Sequence, residues 1–89
     1  MRAVITVIGQ DRVGIIAGMS TVLAQNNINI MDISQTIMSD VFTMIMLVDL
    51  SEMKMSFSHL SELLSEKGKE FEVQVQLQHV DIFNSMHKI

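Results

Sequence analysis

The residues best suited to chemistry lie in one short polar turn. Residues 9–16 read Gly-Gln-Asp-Arg-Val-Gly-Ile-Ile, and a helical pattern follows them. The first N–H groups of such a helix, together with the positive end of its dipole, favour an anion such as a carboxylate or a phosphate. Asp11 and Arg12 add one charge of each sign, which suits a zwitterion such as an amino acid. The same residues also have a purely structural interpretation, in which Asp11 anchors the helix and Gly14 allows close packing.

This turn is expected to join a strand to a helix. Residues 3–8 form a β-branched run of strand length, and apolar side chains then recur at helical spacing from about Val13 or Gly14 to Gln25. Asn26 and Asn27 end the helix. One edge of it carries only small residues, which indicates a packing seam; they are Gly14, Ala17, Gly18, Thr21 and Ala24.

The remaining pattern predicts two strands, a helix and a last strand. Residues 28–38 are extended, with a change of phase near Met31 and Asp32 that suggests a bulge, and Ser39 and Asp40 form a turn before residues 41–50. The second helix carries an apolar stripe from Phe57 to Leu64, and Lys67 and Gly68 supply a cationic last turn and a cap. Residues 71–78 alternate apolar and polar side chains, as an edge or surface strand does.

Composition excludes several classes of function. The 89 residues fit one domain, 1–89, and contain no Cys, so neither disulfides nor cysteine metal sites can form. The six Lys and Arg are scattered in a chain of net charge −4, which argues against nucleic acid. No apolar run is as long as a membrane span. We therefore expect a soluble cytoplasmic protein that needs no cofactor.

No metal or catalytic constellation is evident either. The three histidines occur in different elements at no ligand spacing, and no nucleophile, base and orienting group recur together. Nine Met residues are interpreted as core filler, with an adaptable binding surface or thioether metal ligands as the alternatives. The sequence therefore does not predict an enzyme.

The order of elements predicts an α+β, ferredoxin-like βαββαβ fold, a four-stranded antiparallel sheet with two helices on one face. Residues 3–8 and 41–50 are apolar on both faces, although helices cover only one. The other face is expected to be covered by a second subunit, by the tail, or by both. Residues 82–89 follow helical spacing after Asp81, a candidate N-cap, and predict a short amphipathic C-terminal helix.

The turn at residues 9–16, the helix exit Asn-Asn-Ile-Asn-Ile at residues 26–30 and the order of elements resemble the ACT domain family, a set of small regulatory modules. More narrowly, the chain is similar to free-standing single-domain ACT proteins, which resemble the N-terminal half of the glycine cleavage system transcriptional repressor. The resemblance covers essentially the whole chain. One departure is Val13, where the family's turn commonly has proline before the glycine.

The resemblance implies a ligand site at a homodimer interface, between the first turn of one subunit and the start of the second strand of its neighbour. The matching positions are Asp11, Gly14, Ile15, Asn29 and, as a lesser candidate, Asp32. Backbone N–H groups at Gly14 and Ile15 would face the ligand's carboxylate, Asp11 would take its amino group, and Asn29 would donate and accept.

The function expected is therefore a ligand-responsive regulatory module that binds an amino acid or similar small carboxylate at a homodimer interface. The alternative is a protein-interaction or dimerisation adaptor whose turn binds no ligand. A small enzyme that uses Asp11 with a histidine is a further alternative.

Overall fold

The protein, described here from a computed structural model that covers residues 1–86, has seven regular elements. They are β1 (Arg2–Gln10), α1 (Ile15–Gln25), β2 (Asn29–Met38), β3 (Val41–Asp49), α2 (Phe57–Glu70), β4 (Val73–His79) and α3 (Val80–Met86). The strands form one antiparallel sheet in the order β2-β3-β1-β4. The predicted ferredoxin-like βαββαβ fold with a C-terminal helix is confirmed.

The register divides the sheet into two faces. On β1, Ala3, Ile5 and Val7 point to the same side as their partners Val48, Met46 and Met44, and all six are buried. We call this side the helix face because α1 and α2 bring Ile15, Met19, Leu23, Leu60 and Leu64 into the same core cluster. The opposite side is the open face. It carries the alternate positions of each strand, which include Val4 and Ile8 of β1 and Val41 and Ile45 of β3.

The two edge strands agree with what the sequence suggested. The register between β2 and β3 shifts between Ile30 and Asp32, which confirms the bulge at Met31. Ser39 adopts a positive φ of 55° in the turn between these strands. The last strand, β4, lies at the other edge of the sheet, as its alternation predicted.

The second helix differs from expectation at its C-terminal end. Ser56 caps its N-terminus by accepting the backbone N–H of His59 at 3.1 Å. The predicted cap at Gly68 is wrong, because the helix continues to Glu70. Gly68 instead makes room for β4, since a Cβ atom there would lie 2.8 Å from the carbonyl oxygen of Val73. The glycine is required by packing inside the helix and does not end it.

The row of small residues on α1 packs closely at one position only. Gly18 is half-buried, whereas Gly14, Ala17, Thr21 and Ala24 are exposed, so the predicted packing seam does not extend along the helix within one chain. A Cβ atom at Gly18 would lie 2.5 Å from Cε2 of Phe71, so the Phe71 ring occupies the space that a side chain would need. The element against Gly18 is therefore the turn before β4, and not another helix. It brings the residues that follow α2 close to the start of α1.

The tail forms the expected helix, but two residues earlier than predicted. α3 begins at Val80, so Asp81 lies in its first turn and is not its N-cap. Phe83 is half-buried, whereas Ile82 is 51% exposed, so Ile82 does not pack against its own subunit, and its packing against a partner subunit stays a prediction. The prediction for residues 87–89 lies outside the described residues.

Candidate ligand-binding site

The turn between β1 and α1 presents an uncapped helix N-terminus. Gly14 is the N-cap residue, with φ 91° and ψ 0°, and no side chain forms a cap hydrogen bond. Its carbonyl oxygen accepts the N–H of Gly18 at 2.8 Å, the first hydrogen bond of the helix. Glycine is needed here because other residues rarely adopt this left-handed conformation. The first-turn N–H groups thus have no side-chain oxygen of the cap residue to satisfy them.

Asp11 lies three residues before the cap residue, Gly14, and its side chain forms no cap hydrogen bond to the helix. The purely structural interpretation, in which Asp11 anchors the start of α1, is therefore not supported. Its backbone N–H donates to the carbonyl oxygen of Asp40 at 2.9 Å, which fastens the turn to the hairpin between β2 and β3. The guanidinium of Arg12 forms a 3.2 Å ion pair with the carboxylate of Glu72, which lies in the turn between α2 and β4. Both side chains of this pair are exposed, so it contributes at most about 1 kcal/mol.

A cleft of about 240 Å³ opens beside this turn. Its wall includes three of the predicted site residues, Asp11, Gly14 and Ile15. The other wall is formed by Gln35 and Ile37 of β2 and by Phe42 of β3. Gln35 pairs with Met44, so it points to the helix face and toward the start of α1. The cleft therefore combines a carboxylate, a carboxamide and a helix N-terminus.

Gln35 and Ile37 were not identified from the sequence. The sequence does contain a signal that groups them. Ile33, Gln35 and Ile37 occupy every second position of β2 after the bulge, so their side chains lie on the same side of the strand. The sequence does not show which side of β2 faces the turn. That depends on the pairing register with β3.

The structure does not bring Asn29 and Asp32 to this cleft within one chain. Asn29 pairs with Asp49 at the opposite end of the sheet, where it lines a separate cleft with Asn27, Glu52 and Lys54. Asp32 pairs with Leu47 on the open face, and its Oδ1 accepts the N–H of Ile33 at 2.9 Å. A role for either residue at the turn requires a second subunit.

Other chemistry is not supported by the described residues. Within residues 1–86, no three His, Asp or Glu side chains are grouped so that they could hold a metal ion. His79 stacks on Phe57 with ring centroids 4.2 Å apart. A larger cleft lies along β4 between Thr6, Gln74 and Lys69, but it lacks the combination of acid, amide and helix terminus found at the turn.

No helix in the described part of the chain is both long and apolar enough to span a membrane.

The described residues form a small module of βαββαβ architecture with an uncapped helix start after its first strand. A model of the ACT domain family matches residues 2–78, and the chain belongs to that family. It is 59% identical over 88 residues to the UPF0237 protein MJ1558 of Methanocaldococcus jannaschii, and the match covers 99% of this chain and 98% of that protein. The family and these relatives make it a regulatory, non-catalytic protein.

Solved structures agree with this assignment. An ACT domain protein from Streptococcus pneumoniae has a TM-score of 0.82 at 40% identity, and the match covers 93% of each chain. A protein described as a glycine cleavage system transcriptional repressor has a TM-score of 0.73 at 24% identity, over 86% of this chain and 44% of that one. The second likeness shows the fold alone.

Proposed function

We propose that this protein is a small-molecule-responsive regulatory module that binds an amino acid or a related small carboxylate in the cleft beside the turn between β1 and α1. The observation that carries the proposal is the uncapped start of α1 at Gly14, which opens into a cleft with Asp11 and Gln35. A ligand carboxylate would accept hydrogen bonds from N–H groups of the first helical turn, where the helix dipole also favours it. Asp11 would accept the ligand's ammonium group.

A second subunit is needed to complete this site. The cleft holds about 240 Å³ and is open to solvent, whereas small-molecule sites usually enclose about 300–1,000 Å³. Its outer wall is β2, the edge strand of the sheet. A subunit that adds to this edge would close the cleft from the side.

The sequence of β2 favours such an addition. The strand is ten residues long and carries only one charge, at Asp32, with no Lys and no Pro. Ile33 and Ile37 on its helix face are 44% and 53% exposed. Edge strands that remain monomeric are usually short, charged or interrupted by Pro, so an edge of this kind is a template for pairing with another chain.

We therefore propose a homodimer in which two β2 strands pair antiparallel and form one eight-stranded sheet. Antiparallel pairing places the end of β2 that carries Asn29 next to the Gln35 and Ile37 end of the other copy. Asn29, which lies far from the turn within its own chain, would in this way border the cleft of its neighbour. The exposed apolar side chains of β2 would be buried at the same time.

Backbone NMR with a mixture of the twenty amino acids at millimolar concentration tests the location of the site. We expect the amide signals of Gly14, Ile15 and Gln35 to shift, while those of β4 stay in place. A mixture of simple aliphatic amines at the same ionic strength serves as the control. Shifts confined to other elements would contradict the proposed site.

A protein-interaction adaptor with no small-molecule ligand is the second candidate, and the exposed edge of β2 favours it. In that case β2 would pair with a strand of a different protein, and the cleft would stay empty. The NMR experiment separates the two, because an adaptor gives unchanged spectra with every amino acid.

A cytoplasmic location stays a prediction from the cysteine-free sequence.

A further inference from the structure

Methionine is the residue type of this chain that is most open to oxidation. The sequence contains nine Met and no Cys, Trp or Tyr. The thioether sulfurs are therefore the main groups with which a two-electron oxidant such as a peroxide reacts. Which of them a reagent in solution can reach depends on the fold.

The fold divides the eight methionines at residues 1–85 into protected and exposed ones. Five pack in or against the core, three of them with 1% exposure or less; they are Met19, Met44 and Met46 and the half-buried Met53 and Met55. Three are exposed. Met38 is 72% exposed, compared with 57% for Met1 and 48% for Met31. Met38 thus presents the most accessible side chain among the eight.

The surroundings of Met38 are rich in hydroxyl groups. Met38 pairs with Val41 at the end of β2, and Thr36 pairs with Thr43 on the same open face. Together with Ser39, these residues line one open depression of about 420 Å³. Diagonal neighbours on a sheet face are within reach of a long side chain. Three hydroxyl groups around Met38 can therefore donate to an acceptor on its side chain.

We propose that Met38 is a reversible oxidation site and that these hydroxyl groups hold its sulfoxide. A thioether sulfur is only a weak acceptor, whereas a sulfoxide oxygen is a polar group that needs donors. The hairpin end of the open face offers hydroxyl groups and water, so the oxidised side chain fits there without unfolding. The same oxidation at Met44 or Met46 would place a polar oxygen among the apolar side chains of the core.

The reaction is a two-electron oxygen transfer from hydrogen peroxide or an alkyl hydroperoxide. A lone pair on Sδ of Met38 attacks one peroxide oxygen, so that the S–O bond forms while the O–O bond breaks. The sulfur loses two electrons, and the second oxygen leaves with them, takes up a proton and becomes water or an alcohol. Sulfoxide reductases remove the oxygen with electrons from thiols, which makes the modification reversible.

The position of Met38 connects this modification to the candidate ligand site. Asp40, two residues further along the hairpin, accepts the backbone N–H of Asp11 at 2.9 Å. A change in the contacts of Met38 and Ser39 therefore reaches the turn that precedes α1. This regulatory consequence rests on the proposed function, whereas the oxidation site itself does not.

Dilute hydrogen peroxide followed by peptide-mapping mass spectrometry tests the site. Met38 of the folded protein should gain one oxygen atom first, about tenfold or more faster than Met44 and Met46, because reactivity follows exposure. The difference should disappear in urea. Met38→Leu is the matched control, since it keeps an apolar side chain of similar volume, and it should remove the fastest event alone. Core methionines that react as fast as Met38, or a faster reaction at Met31, would overturn the inference.

A second measurement tests the role of the hydroxyl groups, at a peroxide dose that modifies Met38 alone. The amide signals of Thr36, Ser39 and Thr43 should shift in NMR spectra, those of β4 should stay in place, and the melting temperature should be unchanged. In a protein with Thr36→Val and Thr43→Val, which keep the β-branched shape, oxidation should lower the melting temperature. A wild-type protein that is destabilised as much as this variant would contradict the proposed role. Ligand binding fails separately, if no small carboxylate stabilises the reduced protein.

Discussion

The backbone N–H of Asp11 lies 2.9 Å from the carbonyl oxygen of Asp40 and donates a hydrogen bond to it. This bond joins the turn that carries the candidate site to the hairpin that ends β2, the proposed dimer strand. A ligand that orders the turn would therefore also order the edge of the sheet. We expect the Asp11 amide to exchange with deuterium more slowly when the site is occupied, and the amides of β4 to be unchanged.

Gly14 tests the need for a left-handed residue at the start of α1. Gly14→Ala should lower the free energy of unfolding by about 1–2 kcal/mol, because φ is 91° while the nearest atom to a new Cβ, Cε1 of Phe71, lies at 3.8 Å. Backbone strain is thus the cause, and crowding is not. Gly14→Asn is the control, since Asn tolerates this conformation better, and its loss should be smaller in urea denaturation. Equal losses for the two variants would contradict this explanation.

Gly18 and Phe71 are expected to be energetically coupled. A Cβ at Gly18 would lie 2.5 Å from the Phe71 ring, so Gly18→Ala should cost about 1–3 kcal/mol through overpacking, offset by about 1 kcal/mol of helix propensity. In Phe71→Leu protein the same change should cost less or become stabilising. A double-mutant cycle measures this difference. Additive effects of the two substitutions would show that the ring does not set the need for glycine.

Asp49 should titrate at lower pH than an ordinary carboxyl group. The hydroxyl and the backbone N–H of Ser51 donate to its carboxylate, and these hydrogen bonds lower its pKa. Because the folded pKa is depressed, the interaction stabilises the fold above the ordinary carboxyl range and is lost as the pH falls through the folded pKa. In an NMR titration, Ser51→Ala should raise the pKa of Asp49. An unchanged value would assign the shift to another group.

The proposed dimer predicts different outcomes for the two edges of the sheet. Ile33→Lys places a charge on the exposed helix face of β2 and should convert the dimer to a monomer of 10.0 kDa in light scattering. Gln76→Lys adds the same charge to β4, the other edge strand, on the open face, and should leave the dimer intact. A dimer that persists in the first variant and dissociates in the second would place the interface at β4.

The sequence predicted the fold because its patterns are local. Strand and helix periodicity, the bulge at Met31 and the edge position of β4 all follow from side-chain spacing along a few residues. The C-terminal end of α2 was misjudged for a non-local reason. Gly68 looks like a cap, yet it is required by the approach of β4, which neighbouring residues do not reveal.

The candidate site was predicted only in part, for a similar reason. Asp11, Gly14 and Ile15 belong to one turn, so their proximity is a local property that the sequence shows. Gln35 and Ile37 reach the same cleft through the pairing of β2 with β3, and Asn29 would reach it only through another subunit. Contacts that depend on register or on assembly are not encoded in the spacing of a single segment.

A melting-temperature screen with single amino acids and related small carboxylates at millimolar concentration tests the central claim most directly. A ligand at about one hundred times its dissociation constant stabilises the folded dimer by about 2.7 kcal/mol, enough to raise the melting temperature by several degrees. The account predicts such a rise for at least one compound, its loss in Gly14→Val, its reduction in Asp11→Ala and its retention in Gln76→Ala. A flat wild-type screen, or a rise that Gly14→Val leaves intact, would contradict ligand binding at this turn.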